Sequence, residues 1–151
     1  MKVSEIWNKN YNSGRFNKYP YDNIVSFILK NFGMIENKSS IKILELGCGG
    51  GNNIVMLSDE GFDFYAVDAS TVSIDIVKTK LKDKFDSKKI KHGHFTDIPF
   101  RNNFFDAVID RASIGCNLSK DLPFIFEEIY RVLKPTGKFF SCDLCSSEHP
   151  D

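Results

Sequence analysis

An α/β fold with a doubly wound, mostly parallel sheet and helices on both faces is predicted by three observations. Short apolar segments rich in β-forming residues alternate with amphipathic helical stretches along the chain. Four of the five residues Gly47-Cys48-Gly49-Gly50-Gly51, directly after the first such segment, are glycines. Acidic residues, Asp68, Asp97 and Asp110, stand at or just after the later strand segments. The alternation requires right-handed crossovers, and therefore parallel strands covered on both sides.

The elements follow in order. After Tyr19-Pro20, the residues Ile24, Phe27, Ile28 and Phe32 recur at helical spacing and end at Gly33, which suits a left-handed cap. Residues 41–46 read as a buried first strand, 52–60 as a helix ended by Gly61, and 62–68 as a second strand. Ser70 or Thr71 caps a helix striped by Ile74, Val77, Leu81 and Phe85. Residues 88–95 form a third strand, on which His92 and His94 share a face, and 104–110 a fourth. Leu122, Ile125, Phe126, Ile129 and Leu133 stripe a helix that Pro135-Thr136-Gly137 breaks, and 138–144 form a fifth strand.

Twenty basic residues balance twenty acidic ones among 151, so no broad positive field exists to hold nucleic acid or an anionic membrane surface. No apolar run is long enough to span a bilayer, and the N-terminus has neither a basic nor an apolar signal region. A soluble, cytoplasmic protein that binds neither nucleic acid nor membrane is expected. Its four cysteines are expected to be reduced. Cys142, Cys145 and His149, with Cys116 as a conceivable fourth ligand, have the composition of a zinc site, but strand alternation sends Cys142 and Cys145 to opposite faces, and no metal is expected.

In open α/β sheets ligands bind beyond the carboxyl ends of the strands. A glycine turn of purely structural origin needs one or two glycines; four point to close approach by something else. Asp68, 21 residues after Gly47, is placed to accept hydrogen bonds from ribose hydroxyls. Asp97 has two readings, an acceptor for an exocyclic amine such as that of adenine or an Asx turn before Pro99. Asn52 stands where the dinucleotide fingerprint has its third glycine, which disfavours a nicotinamide cofactor.

Several segments, in order, resemble the class I S-adenosylmethionine-dependent methyltransferases, and in particular their small-molecule members. They are Ile43-Leu44-Glu45-Leu46-Gly47-Cys48-Gly49-Gly50-Gly51, Ala66-Val67-Asp68, Thr96-Asp97-Ile98-Pro99-Phe100, Phe104-Phe105-Asp106-Ala107-Val108, and residues 128–138. The resemblance covers roughly residues 40–143 and implies a Rossmann-like sheet. It also implies that Glu45, Gly47, Cys48, Gly49, Asp68 and Ala69 hold the methionine and ribose parts of S-adenosylmethionine, while Asp97 and Ile98 contact its adenine. Trp7, Tyr11, Gly14, Arg15 and Tyr19 look like the N-terminal segment that folds over the cofactor in such enzymes, with Tyr11 and Arg15 near the methionine carboxylate. Trp7 and Tyr11 also suit simple packing at i, i+4.

One domain spanning 1–151 is expected, with 1–35 as a helical segment over the cofactor site and 40–144 as the cofactor-binding core. Asp110 is the candidate general base and Arg111 the candidate anion holder for the acceptor. Resembling enzymes continue with sixth and seventh strands, which are expected to be missing here. Either the chain is a fragment, a truncated domain that still binds cofactor, or the apolar edge at 139–144 is covered by a second copy or a partner. Three functions compete: a small-molecule methyltransferase, a cofactor-binding module without activity, and, least favoured, a nicotinamide-dependent oxidoreductase.

Overall fold

The computed structural model describes residues 3–142. Helix α1 (Val3–Asn12) and helix α2 (Asp22–Phe32) precede strand β1 (Lys42–Leu46). Helix α3 (Asn52–Asp59), strand β2 (Asp63–Asp68), helix α4 (Thr71–Leu81) and strand β3 (Ile90–His92) follow. Strand β4 (Phe105–Arg111), helix α5 (Leu122–Val132) and strand β5 (Leu133–Cys142) complete the described chain. All strand pairs are parallel, in the order β3-β2-β1-β4-β5. Chain order thus reverses direction at β1, and the crevice between the β1 and β4 ends is the topological switch point.

Both faces of the sheet are buried, and the alternation along each strand shows how. Ile43, Phe64, Ala66, Ala107 and Ile109 join α2, α3 and α4 in one core cluster. Leu44, Tyr65, Val67 and Val108 join Ile125, Ile129 and Val132 of α5 in the other. A strand covered on both sides reads as a continuous apolar run, which is why residues 43–46 are apolar except for Glu45. Phe105, fully buried, meets Tyr65, Phe100 and Phe104 edge-on at ring separations of 5.0–5.2 Å. Arg131 of α5 pins the preceding loop by donating to the Ile98 and Phe100 carbonyls and to Glu128.

Four local expectations are corrected. Gly33 is right-handed helical (φ −61°), with its N–H bonded to Leu29 O, and is no left-handed cap. The helix after Ser70 stops at Leu81 because Lys82 takes a non-helical backbone conformation with positive φ (50°); Phe85 still packs on the core, from beyond the helix. The third strand is limited to Ile90–His92, since a turn closed by Asp97 N–H on His94 O carries the chain away from the sheet. The fifth strand begins at Leu133, ahead of Pro135-Thr136-Gly137, with residues 134–137 bulged out opposite Asp106. The side chain of Asp106 holds that bulge, accepting from Lys42 N–H and pairing with Lys134 at 2.6 Å.

Part of the apolar face of β5 is covered from within the chain, as Phe140 stacks on Phe27 of α2 at 4.8 Å. Phe139 stays 36% exposed, against the half-exposed Phe126 of α5. Cys145 and His149 lie outside the described residues. No helix among the described residues is long and apolar enough to cross a membrane.

Phe105→Ala is expected to lower stability by about 3–5 kcal/mol in urea unfolding, because it leaves a cavity among three rings, while Phe105→Leu loses roughly half as much.

Candidate functional site

A cavity of about 180 Å³ opens at the carboxyl ends of β1, β2 and β4, roofed by α1 and the segment after it. The floor is the loop after β1. Gly47 (φ +73°) and Gly49 (φ +49°) both occupy the left-handed region that favours glycine. The chain itself already makes the close approach that the glycines permit. A Cβ on Gly47 would lie 2.1 Å from Ser113 Oγ, and one on Gly49 would lie 2.9 Å from the Tyr11 hydroxyl.

Asp68 ends β2 with its carboxylate turned back toward this loop. It is 6% exposed and lines the cavity. Oδ2 accepts from Gly49 N–H at 2.9 Å and from the Ser73 hydroxyl at 2.9 Å, and Oδ1 accepts from Ser70 N–H at 2.8 Å. Burial pushes its pKa up, and these three donors oppose the rise. A carboxylate offers about four acceptor sites, so one remains for a ligand hydroxyl.

Glu45 of β1 is buried beside it. Its Oε1 accepts from Asn53 Nδ2 at 2.7 Å, while Oε2 has no hydrogen-bond partner among the described residues. Burial, reinforced by the Asp68 and Asp110 carboxylates and opposed by the Asn53 amide, raises its pKa to about 8. Cys48 is buried with its Sγ 3.5 Å from Ser73 Oγ, and burial together with the neighbouring carboxylates holds the thiol well above its ordinary pKa.

The roof is fastened by polar side chains that reading the sequence missed. Asn52 Nδ2 donates to Tyr19 O at 2.9 Å, and Asn53 Oδ1 accepts from Tyr21 N–H at 3.1 Å. Ser70 Oγ donates to Asn8 Oδ1 at 2.6 Å, and Phe16 seats against Gly50. Asn52, read as a departure from a glycine fingerprint, is thus the clamp for the chain that covers the site. Trp7 and Tyr11 stack at 5.6 Å and both line the cavity, so packing and lining coexist. Burial and the Asp68 charge hold the Tyr11 phenol well above its usual pKa.

The cavity therefore brings together Glu45, Gly47, Cys48, Gly49, Asp68, Ala69, Tyr11, Arg15 and Arg111. Three expected residues are elsewhere. Asp97 is exposed and its charge acts on Arg131. Ile98 is buried in the α5-side core with its N–H donated to Glu128 Oε2 at 2.8 Å. His94 and Phe95 line the cavity where those two were expected; the early end of β3 puts His94 there. Asp110, fully buried, accepts from Ser113 N–H, Ile114 N–H and the Ser141 hydroxyl, at 3.0, 3.1 and 2.7 Å. Its carboxylate holds the turn after β4 and does not line the cavity, which corrects the general-base expectation. Among the described residues no cluster of His, Cys, Asp and Glu could hold a metal ion.

These features fit an adenosyl sulfonium cofactor: a buried carboxylate with one open acceptor site for a ribose, an unpartnered carboxylate oxygen for a cationic group, and a loop whose backbone a ligand can reach. Comparison with known proteins agrees with the fit. The family described as "Methyltransferase domain" matches residues 44–141. Demethylmenaquinone methyltransferase of Leptospira interrogans is 34% identical over 126 residues, 77% of this chain and 49% of that one. Phosphoethanolamine N-methyltransferase 3 of Arabidopsis thaliana is 29% identical over 115 residues, 76% of this chain and 23% of that one. The chain thus spans less than half the length of these curated relatives. Among solved structures, a phosphoethanolamine N-methyltransferase 2 from Haemonchus contortus, in complex with phosphomonomethylethanolamine and S-adenosylhomocysteine, has the same fold. Its TM-score is 0.72 at 22% identity, over 92% of this chain and 35% of that one. With the profile match covering most of the sheet and its crevice, this chain belongs to the methyltransferase domain family.

Proposed function

We propose that the chain binds S-adenosylmethionine in the cleft above β1, β2 and β4 and serves methyl transfer to a small-molecule acceptor. The observation that carries this reading is the Asp68 carboxylate, buried, lining the cavity and bonded to Gly49 N–H of the glycine loop. Asp68 and Ala69 are assigned to the ribose, the Gly47–Gly49 backbone and Glu45 to the methionine part, and His94 and Phe95 to the adenine side. Tyr11 and Arg15 close over the methionine part from above.

When bound, the cofactor supplies a methyl group already activated on a sulfonium. The tasks left to the chain are alignment and the exclusion of water. Trp7, Tyr11 and Phe16 form an aromatic cover, and the Asn52 and Asn53 side chains hold the strand of chain that carries it. A covered cleft and a balanced surface charge favour a small acceptor over a polyanion.

S-adenosylhomocysteine is expected to raise the melting temperature of the protein, and NAD to leave it unchanged; the opposite pattern overturns the assignment. Asp68→Asn is expected to weaken S-adenosylhomocysteine binding roughly 10- to 100-fold in calorimetry, since it removes a charged acceptor and reverses one of its hydrogen bonds.

Glu45, protonated up to about pH 8, must lose that proton to face a cationic ligand group. The deprotonated fraction grows with pH, so affinity is expected to rise roughly tenfold per unit on approach to pH 8 and to level beyond it. Glu45→Gln should flatten the profile. A wild-type affinity that does not change over that interval removes Glu45 from contact with the ligand.

A further inference from the structure

The segment Tyr19-Pro20-Tyr21 is where the cover joins helix α2, and two neighbouring side chains in the first turn of α3 bracket it. Asn52 donates to Tyr19 O and Asn53 accepts from Tyr21 N–H, one on each side of Pro20. Before this junction the chain is held mostly by polar ties; beyond it Ile24 and Ile28 are fully buried in the core. Asn53 reaches the floor of the cleft as well. It is 1% exposed, and its Nδ2 donates to Glu45 Oε1 at 2.7 Å while its Oδ1 accepts from Tyr21 N–H at 3.1 Å.

The two partners allow that amide one orientation. A backbone N–H only donates and a carboxylate only accepts, so the amide oxygen faces Tyr21 and the amide nitrogen faces Glu45. Holding Oε1 in this way leaves Oε2 of Glu45 as the oxygen without a hydrogen bond among the described residues, on a side chain that lines the cavity. Without the amide the two oxygens become equivalent, and the carboxylate turns freely about its terminal bond. The bond to Asn53 is also stronger when Glu45 is charged, and it polarises the amide so that its oxygen becomes a better acceptor for Tyr21 N–H. The ionised form of Glu45, the one that faces a cation, is thus the form in which the cover is fastened most firmly.

We propose that Asn53 is a positioning residue, one amide that aims the open oxygen of Glu45 at the ligand and fastens the cover above it, so that charge on the floor and closure of the roof are coupled. The proposal rests on the cofactor reading above. Burial favours the protonated form of Glu45, the Asn53 amide opposes it, and Asp68 of β2 and Asp110 of β4 add to it. The Cys48 thiol and the Tyr11 phenol are within electrostatic reach of the same carboxylate. Arg15, Arg111, His94 and Cys116 line the same cavity. All of these stay in place when Asn53 alone is replaced. Its removal takes away a bond that favours the charged carboxylate, so Glu45 loses its proton at higher pH.

Affinity for S-adenosylhomocysteine is measured by calorimetry from about pH 6.5 to 9.5. Acrylamide quenching is followed on Trp7 of α1, the chain's sole tryptophan, which belongs to the cover. Asn53→Ala and the milder Asn53→Ser are expected to weaken binding about tenfold at neutral pH. The pH at which affinity levels is expected to move up by about half a unit or more. Without ligand, Trp7 quenching in these variants is expected to rise roughly 1.5-fold. Asn52→Ala loosens the same junction without touching Glu45, and should raise quenching while leaving the levelling pH of the unaltered protein. In the unaltered protein, quenching should fall from about pH 7 to about pH 9 as Glu45 ionises, a reading that stands should neither Asn53 variant fold. A levelling pH or a Trp7 quenching that is unchanged in a folded Asn53 variant overturns the proposal, as does quenching indifferent to pH in the unaltered protein. An equal displacement of the levelling pH in Asn52→Ala overturns it too, since the displacement then reports a loosened cover. If the unaltered protein binds no S-adenosylhomocysteine, the cofactor reading falls and the proposal with it.

Discussion

The Asp68 carboxylate ties three elements into one body. It accepts from the loop after β1 through Gly49 N–H and from the turn entering α4 through Ser70 N–H. The first turn of that helix reaches it through the Ser73 hydroxyl. A carboxylate buried to this extent is costly unless donors surround it, and the same donors that offset the cost fix the loop against the tip of β2. Ser73 extends the tie, its oxygen lying 2.7 Å from Gly49 O and 3.5 Å from Cys48 Sγ. The backbone that a ligand would touch is therefore held before any ligand arrives, which is how a site gains affinity without paying for reorganisation.

The cover over the cleft is attached differently. The α1 segment and residues 13–21 are held by the side chains of Asn52, Asn53 and Ser70 and by Phe16 on Gly50. These are mostly polar contacts with part-exposed groups, in contrast to the apolar packing of Ile24, Ile28 and Phe32 of α2. Segments secured in this way belong to the low-stability end of a protein. Glu45, Asn53, Tyr21 and Arg111 also form one connected path, so the acidic and basic halves of the cleft share a mechanical link.

Much of the sheet was legible because burial on two faces forces a strong pattern. Residues 43–46 and 105–109 have almost no alternative to being central parallel strands. Boundaries were less legible where a single backbone angle or hydrogen bond decides them. Lys82 ends α4 by taking a positive, non-helical φ, and Leu133 begins β5 by pairing with Phe105 before the proline that was expected to come first. Neither event leaves a mark in hydrophobic periodicity.

Sequence alone determined the α/β architecture, the position of the glycine loop and the placing of a carboxylate after the second strand, because each follows from local spacing and strand polarity. Tertiary structure alone decided the direction in which each polar side chain faces. It turned Asp68 toward the cavity and Asp110 into the β4 turn, although both are acids at strand ends. It put His94 rather than Asp97 or Ile98 beside the cleft and made Asn52 a clamp. A buried carboxylate goes where donors satisfy it, and those donors come from residues far away in the chain, as with Ser141 on Asp110.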